Sequence, residues 1–435
     1  MIPNQQHREA KTPLKPVYSF NKPKEPVLLH QGEIGGLGAT ERQGVVRLEF
    51  TPEPGLRWSV GPLDDEWFTD PGKVDLSIEK QGRSWTISGA HRVSNDGWIG
   101  QCEYVEPEAE LDHLLVHWMN LPAILGNAVL TNGRRLWAGR WQGDVEGWRI
   151  TLDSRSDLTE LLKESRSDHL YVLTHVMEIR RVNDEAFSVE AAKALLEQLR
   201  VGLSFAFGRW VSPVLPIGYA PDGKVSWESW VSPICDPASK GPGSAWLYYY
   251  STQDFHAYLC SLVQAFACDG EQGILRFQMV SAVQTNSVGF VEQRVLSAFT
   301  ALENIEWVNL VLGGHVRRRD YRGLTGEDRL RRVLELGAIP FALDGLELPA
   351  LQEFAARESL SDGPAALVRF RNGLVHPKSP REQIYHVAGL SRDAWFLSRH
   401  YLTLLVLHSM GYRGKFCRQM PPFGWFSDTE PVPWA

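Results

Sequence analysis

The sequence predicts an α+β protein, with a β-rich antiparallel sandwich or open barrel first and an all-α helical bundle after it. Between residues 27 and 181 apolar residues alternate with polar ones, which is typical of strands with one buried face. After residue 280 apolar residues recur every three or four positions, as on the buried side of a helix. Strands followed by helices indicate two separately packed regions.

The β-rich N-terminal domain is predicted over residues 27–187. Its alternating apolar residues are Val46, Leu48 and Phe50, then Val74, Leu76 and Ile78, then Trp85 and Ile87, then Trp148, Ile150 and Leu152. Turn sequences rich in Gly, Pro, Asn and Asp lie between them, at 54–55, 70–72, 95–97 and 132–133. Residues 1–26, which contain five prolines, predict a flexible tail.

A mixed connecting region is predicted over residues 188–279. It begins with a helix that Ser188 opens and Gly208 closes, and a segment rich in Trp and Gly follows. The helical domain is predicted over 280–425 as a bundle of five helices. Its clearest helices begin near Gly363 and Arg392, and the first of them ends at Pro377. Leu367, Phe370, Leu374 and Val375 are expected to face inward there.

Composition narrows the function classes. The net charge of −7 restricts any nucleic-acid binding to a local basic patch. The five cysteines are scattered without a Cys-x-x-Cys pair, so we expect no disulfide framework, no metal site and a reducing, cytoplasmic location. No signal-type segment or run of roughly 20 apolar residues is present, so no membrane association is expected. No cofactor is expected either.

One segment of the penultimate helix combines groups suited to phosphate chemistry. Asn372 and His376 are four residues apart and share a helix face, and the long side chain of Arg371 can reach the same groove. An imidazole can take the proton of an RNA 2′-hydroxyl, and a guanidinium can stabilise the charge that the phosphate gains. A chance arrangement, with a histidine that only caps the helix, remains the alternative on spacing alone.

The run from Leu367 to Pro377 resembles the signature of the HEPN superfamily, in which an arginine and a polar residue precede a histidine. The segment 297–303, with its Leu-Glu pair, is similar to an earlier helix of that family. The end of the chain from Tyr401 to Phe416 resembles the ApeA-like branch, known from bacterial anti-phage defence. A tyrosine usually stands where Phe416 is, so the match to this branch is incomplete.

The resemblance implies a metal-independent endoribonuclease whose catalytic residues are Arg371, His376 and Asn372. It further implies cleavage of single-stranded RNA or tRNA to a 2′,3′-cyclic phosphate, and a homodimer formed through the HEPN domain. An abortive-infection or toxin-like role follows by analogy, with the N-terminal domain as sensor of a phage-derived trigger. The alternative is a catalytically silent HEPN protein that dimerises and binds RNA or another ligand.

Other polar residues have two interpretations each. An arginine-rich stretch and the lysine after the motif are either RNA-backbone contacts or solvated surface; these residues are Arg317, Arg318, Arg319, Arg322 and Lys378. Glu303 is expected to form a structural ion pair with Arg371 inside the bundle. His113 and His117 have the i, i+4 spacing of a metal pair, but a third ligand is not evident.

Overall fold

The computed structural model describes residues 10–37, 41–61, 72–91, 95–168, 170–238, 245–268, 270–287, 289–379 and 383–435. The first nine residues of the predicted tail, and part of the turn predicted at 70–72, lie outside them. The chain divides into an N-terminal unit of Met1–Arg200 and Val211–Gly241 and a C-terminal unit of Val201–Trp210 and Pro242–Ala435. The connecting region predicted at 188–279 is thus shared between the two units.

The N-terminal unit is built mainly from strands. In chain order these are β1 (Val27–Gly35), β2 (Arg42–Glu49), β3 (Gly55–Val60), β4 (Gly72–Lys80), β5 (Arg83–His91), β6 (Asp96–Val105), β7 (Glu110–Leu111), β8 (His113–Met119), β9 (Ala128–Thr131), β10 (Leu136–Val145), β11 (Trp148–Ser154), β12 (Leu173–Arg181), β13 (Phe187–Ser188), β14 (Ser212–Tyr219) and β15 (Val225–Val231). Helix α1 (Leu158–Asp168) accompanies them, and the division between the two units falls within helix α2 (Val189–Phe207), after Arg200. As expected, α2 follows Ser188, whose hydroxyl accepts the Ala191 N–H at 3.2 Å.

Thirteen of these strands form one sheet in the order β3-β2-β1-β4-β5-β6-β15-β14-β8-β12-β11-β10-β9. A further antiparallel pairing of β3 with β6 closes the first six strands into a barrel-like ring. One edge of β6 pairs first with β3 and then with β15: Ile99 is paired with Leu56 of β3, and Cys102 is paired with Trp230 of β15. Of the two predicted forms, the structure has the barrel rather than the sandwich, and this barrel-like ring is closed and continues into a wide sheet.

The predicted alternation is confirmed in the strands that form the core. Val74, Leu76 and Ile78 of β4 are buried while their neighbours are exposed, because one face of the strand packs inward. β11 departs from the pattern, since its alternate residues Thr151 and Asp153 are buried as well.

The segment before β1 differs from the expected flexible tail. From Ala10 onward it is held by specific contacts: the Lys11 N–H donates to the Val129 carbonyl at 2.9 Å, and the Leu14 N–H donates to Asp153 at 2.7 Å. Tyr18 is buried, and its hydroxyl donates to Glu228. An aromatic ring and backbone donors thus anchor a stretch whose prolines suggested disorder.

The C-terminal unit is mainly helical. Its helices are α3 (Thr252–Phe266), α4 (Gln272–Gln284), α5 (Val291–Trp307), α6 (Arg318–Tyr321), α7 (Gly326–Leu336), α8 (Pro349–Glu358), α9 (Gly363–Val375) and α10 (Leu390–Ser409), with a π-helical turn at Val308–Leu312 and a 3₁₀ turn at Gln383–His386. A short ribbon of β16 (Lys415–Cys417) and β17 (Thr429–Pro431) follows, so the predicted all-α description is wrong at this end.

Helix α10 is the centre of this unit. Fourteen of its twenty residues are buried, and it packs against α4, α5, α7, α8 and α9. The run Val291–Leu312, which comprises α5 and the π turn, is long and apolar enough to cross a membrane by length and composition alone. The core helix of a globular protein meets the same description, and α5 buries Val295, Phe299 and Leu302 against its neighbours.

Candidate functional site at the end of helix α9

Helix α9 carries the three predicted catalytic residues, and local sequence sets both of its ends. Asp362 caps the first turn, where its carboxylate accepts the Ala365 N–H at 2.9 Å. Pro364 suits the first turn because its missing backbone N–H would have no acceptor within the helix there. The helix ends at Val375, and His376 is its C-terminal cap, with its N–H donating to the Asn372 carbonyl at 2.8 Å. The end of the helix therefore falls within the motif.

Arg371 is fixed by two acceptors. Its Nη2 lies 3.0 Å from Oε1 of Glu303 on α5, and its Nη1 donates to Oδ1 of Asn372 at 3.2 Å. The expected ion pair with Glu303 is confirmed. Its expected place inside the bundle is wrong, because the Glu303 side chain is 53% exposed. Arg371 therefore lies near the surface, and Glu303 and Asn372 set the orientation of its guanidinium.

His376 is exposed, and among the described residues its ring makes no hydrogen bond. Asn372 is also exposed, but its side chain binds Arg371 rather than the imidazole. The structure thus joins Arg371 to Asn372 and leaves His376 beside them on the same helix end. Among the described residues, no hydrogen bond joins Arg371 to His376.

The 3₁₀ turn after α9 supports this end of the helix. The Tyr385 hydroxyl donates toward the carbonyls of Gly373 and Leu374, at 3.3 and 3.2 Å. A Cβ on Gly373 would lie 2.5 Å from Cδ1 of Ile384, so the glycine admits this side chain from the same chain rather than a separate helix. Of the residues predicted to face inward, Leu367 and Phe370 are buried, whereas Val375 is exposed because the helix ends there.

Glu306 lies behind Arg371, and the sequence analysis did not identify it. Its side chain is buried, and burial raises the pKa of its carboxyl to about 8, with Glu303 adding to the rise and Arg329 and Arg371 opposing it. A sequence signal exists: Glu306 follows Leu302 by four residues on the apolar stripe of α5, where a carboxyl is out of place.

The basic residues proposed as RNA contacts are exposed, and several have partners. Arg317 pairs with Asp320 at 2.7 Å, and the guanidinium of Arg318 lies 5.5 Å from the centre of the Trp307 ring. Arg319, Arg322 and Lys378 are exposed. Both interpretations of these residues, phosphate contact and solvated surface, are compatible with this placement.

His113 and His117 lie on β8 and not on a helix. Four residues along a strand span roughly 13 Å, so the two rings do not converge on one ion. His113 Nδ1 is 2.7 Å from Asp112, and its ring stacks on Tyr219. His117 is buried, which lowers its pKa to about 4. Within the described ranges, no group of three or more His, Cys, Asp or Glu side chains is placed to hold a metal.

Two family models match separate parts of this chain. Residues 106–241 match the family model described as the YopA central domain, and residues 280–430 match the one described as the YopA C-terminal domain. The SPbeta prophage-derived uncharacterized protein YopA of Bacillus subtilis (strain 168) is 25% identical over 317 residues, which cover 72% of this chain and 70% of that protein. No solved structure matches the chain.

Proposed function

We propose that this protein is a metal-independent endoribonuclease of the HEPN type, with Arg371, Asn372 and His376 as its site. The observation that supports this most is their grouping at the exposed end of α9, where Glu303 fixes Arg371 at 3.0 Å. A cation, an amide and an imidazole stand there within one turn and a half of helix. These are the groups that cleavage at an RNA 2′-hydroxyl requires.

In the proposed reaction, His376 accepts the proton of the 2′-hydroxyl. The 2′ oxygen then attacks the adjacent phosphorus, a 2′,3′-cyclic phosphate forms, and the bond from phosphorus to the 5′ oxygen breaks. The leaving oxygen takes up a proton and becomes a 5′-hydroxyl. Arg371 stabilises the charge on the equatorial phosphate oxygens, and Asn372 holds the guanidinium in place.

The proposed active form is a homodimer through the C-terminal unit. Among the described residues of one chain, Arg371 is bound to Asn372 and Glu303 and forms no hydrogen bond with His376. A second α9 end facing the first would place the arginine of one copy near the histidine of the other. The substrate would be single-stranded RNA or tRNA.

A role in anti-phage defence follows only as part of this proposal. The N-terminal unit would sense a phage-derived trigger and restrain the nuclease until the trigger is present. The name of the Bacillus subtilis relative describes that protein as prophage-derived, which fits a gene maintained in contact with phages.

The test is RNA cleavage by the full chain in EDTA, with and without a lysate of phage-infected cells as the source of the trigger, and with analysis of the product ends. Arg371→Ala and His376→Ala should each abolish cleavage with unchanged circular dichroism. Arg369→Ala, on the same helix and paired with Glu358 at 3.2 Å, and His386→Ala on the 3₁₀ turn are matched controls that should retain activity. Cleavage that persists in both motif variants would exclude this site.

A non-catalytic RNA- or ligand-binding protein is the second candidate. The observation in its favour is that Glu303 already neutralises Arg371 and leaves less positive charge for a phosphate. Toxicity on expression separates the two candidates. A nuclease awaiting a trigger predicts that wild type, challenged with phage, arrests growth while His376→Ala does not. A binding protein predicts equal growth.

A further inference from the structure

The C-terminal unit contains a cavity that none of Arg371, Asn372 or His376 lines. Its volume is about 480 Å³, within the range of small-molecule sites, and it lies between α10 and the segment around β16 and β17. Aromatic side chains form much of its wall: Trp395, Phe396, Phe423, Trp425 and Phe426.

Arg399 is the buried cation of this cavity. The residue is 3% exposed, and its guanidinium donates to two neutral acceptors, the Asn286 side chain at 3.0 Å and the Gln419 carbonyl at 2.6 Å. Its Nε is buried without a partner. Burial lowers its pKa to about 10, and Arg294 contributes to the decrease. A buried charge without a counter-ion is costly, so the site favours an incoming anion.

Arg294 adds a second cation beside the same ring. The guanidinium carbons of Arg294 and Arg399 lie 5.1 and 4.6 Å from the centre of Trp395, and the Nε of Arg294 is also buried without a partner. Over the described part of the chain neither arginine forms an ion pair with a carboxylate. Two like charges around one indole are expected where a ligand supplies the negative charge.

Arg418 and Asp428 are the other charged residues that line the cavity, and Arg294 lies outside its wall. Arg418 is paired with Glu430 at 3.2 Å. Asp428 is a carboxylate in the wall, and its Oδ2 already accepts the Trp425 N–H at 2.7 Å. Above them Phe423 is 56% exposed and Trp425 is 84% exposed. Exposed flat rings beside a cation are suited to stacking a planar base.

We propose that this cavity binds a nucleoside phosphate, with the phosphate at Arg399, the buried cation of its wall, and the base against Phe423 and Trp425. The same chemistry is offered by a free mononucleotide and by one nucleotide of an RNA strand. The proposal does not depend on cleavage at α9.

Isothermal titration calorimetry on the full chain tests the site, with AMP, adenosine and inorganic phosphate as separate probes. AMP should bind at least tenfold more tightly than either fragment. Trp425→Ala should weaken AMP binding about tenfold, which corresponds to the loss of one stacked base. Arg399→Gln should abolish binding. If that variant does not fold, Arg294→Gln, at a half-buried position beside Trp395 but outside the cavity wall, should weaken binding.

Two controls separate this site from the end of α9 and from general surface effects. Phe277→Ala removes an exposed aromatic ring of α4 that does not line the cavity and should leave AMP binding unchanged. His376→Ala should also bind AMP as wild type does, whether or not the proposed nuclease is correct.

A 2′-O-methyl oligoadenylate, which cannot form a cyclic phosphate, distinguishes the two sources. Binding much tighter than AMP, and lost in the same variants, assigns the cavity to an RNA strand. Equal or weaker binding assigns it to a free nucleotide. Absence of saturable binding of both AMP and the oligonucleotide overturns the proposal, as does AMP binding that survives the substitutions of Trp425, Arg399 and Arg294.

Discussion

The two units differ in whether each buried ionisable side chain has a counter-ion. In the N-terminal unit Lys80 binds Glu228 at 2.5 Å, and Arg140 binds Asp153 at 2.6 Å, so each buried charge has its counter-ion. In the C-terminal unit the buried Asp362 and Asp393 are paired in the same way. Glu306 and Arg399 are buried too, but among the described residues neither has an ion pair, and burial raises the pKa of Glu306 to about 8, so that carboxyl is neutral at pH 7. Paired charges serve the fold, whereas an unpaired buried charge is kept where function needs it. The candidate sites therefore belong to the C-terminal unit.

Glu228→Gln should produce the largest effect, because it removes the counter-ion from the N-terminal unit. The carboxylate accepts from Lys80 and from Trp230 Nε1 at 2.8 Å, so its neutralisation leaves the Lys80 ammonium buried and unpaired. We expect a loss of about 3–5 kcal/mol, measured by urea unfolding. Glu25→Gln breaks an exposed pair with Lys22 and should leave the unfolding midpoint unchanged. Similar midpoints for both variants would contradict the comparison.

Glu306→Gln should instead stabilise the protein, and only at high pH. Burial raises the folded-state pKa of Glu306 from 4.5 to about 8, so unfolding releases a proton between these values and stability falls as the pH rises through this window. Gln has no such proton. The variant should match wild type near pH 4.5 and exceed it by a few kcal/mol above pH 8. A constant difference across this window would show that burial does not hold the carboxyl neutral.

Arg399→Gln should have the smallest effect on stability, within about 1 kcal/mol. The desolvation cost that it removes offsets the two hydrogen bonds that it loses, to Asn286 and Gln419. Thermal unfolding beside wild type measures this. A loss as large as that of Glu228→Gln would mean that the charge of Arg399 already has a counter-ion, and that both units follow one rule.

The sequence predicted what local patterns determine. Alternation located β4, and Gly363 and Pro377 located the two ends of α9 to within two residues, because these signals lie close together in the sequence. The pair of Glu303 and Arg371 was predicted, and the structure forms it, but with an exposed Glu303 rather than inside the bundle. HEPN membership and ribonuclease activity remain proposals.

Features that depend on distant contacts were not predicted. The ring closure joins β3 to β6 across about forty residues, and the anchoring of Tyr18 depends on Glu228, 210 residues away. The charged sites were partly visible, since Glu306 and Arg399 interrupt apolar stretches of α5 and α10. A charge within an apolar stripe identifies a residue to examine, but only the fold shows whether a partner meets it.

The ring also determines how the sheet avoids joining other molecules. Because β3 closes on β6, the strand order leaves β9 as the terminal strand of the thirteen. Lys11 lies along this strand: its N–H donates to the Val129 carbonyl, and its carbonyl accepts the Thr131 N–H, each at 2.9 Å. The stretch before β1 therefore occupies backbone groups that another polypeptide would otherwise use to extend the sheet. Its loss would turn β9 into a template for aggregation.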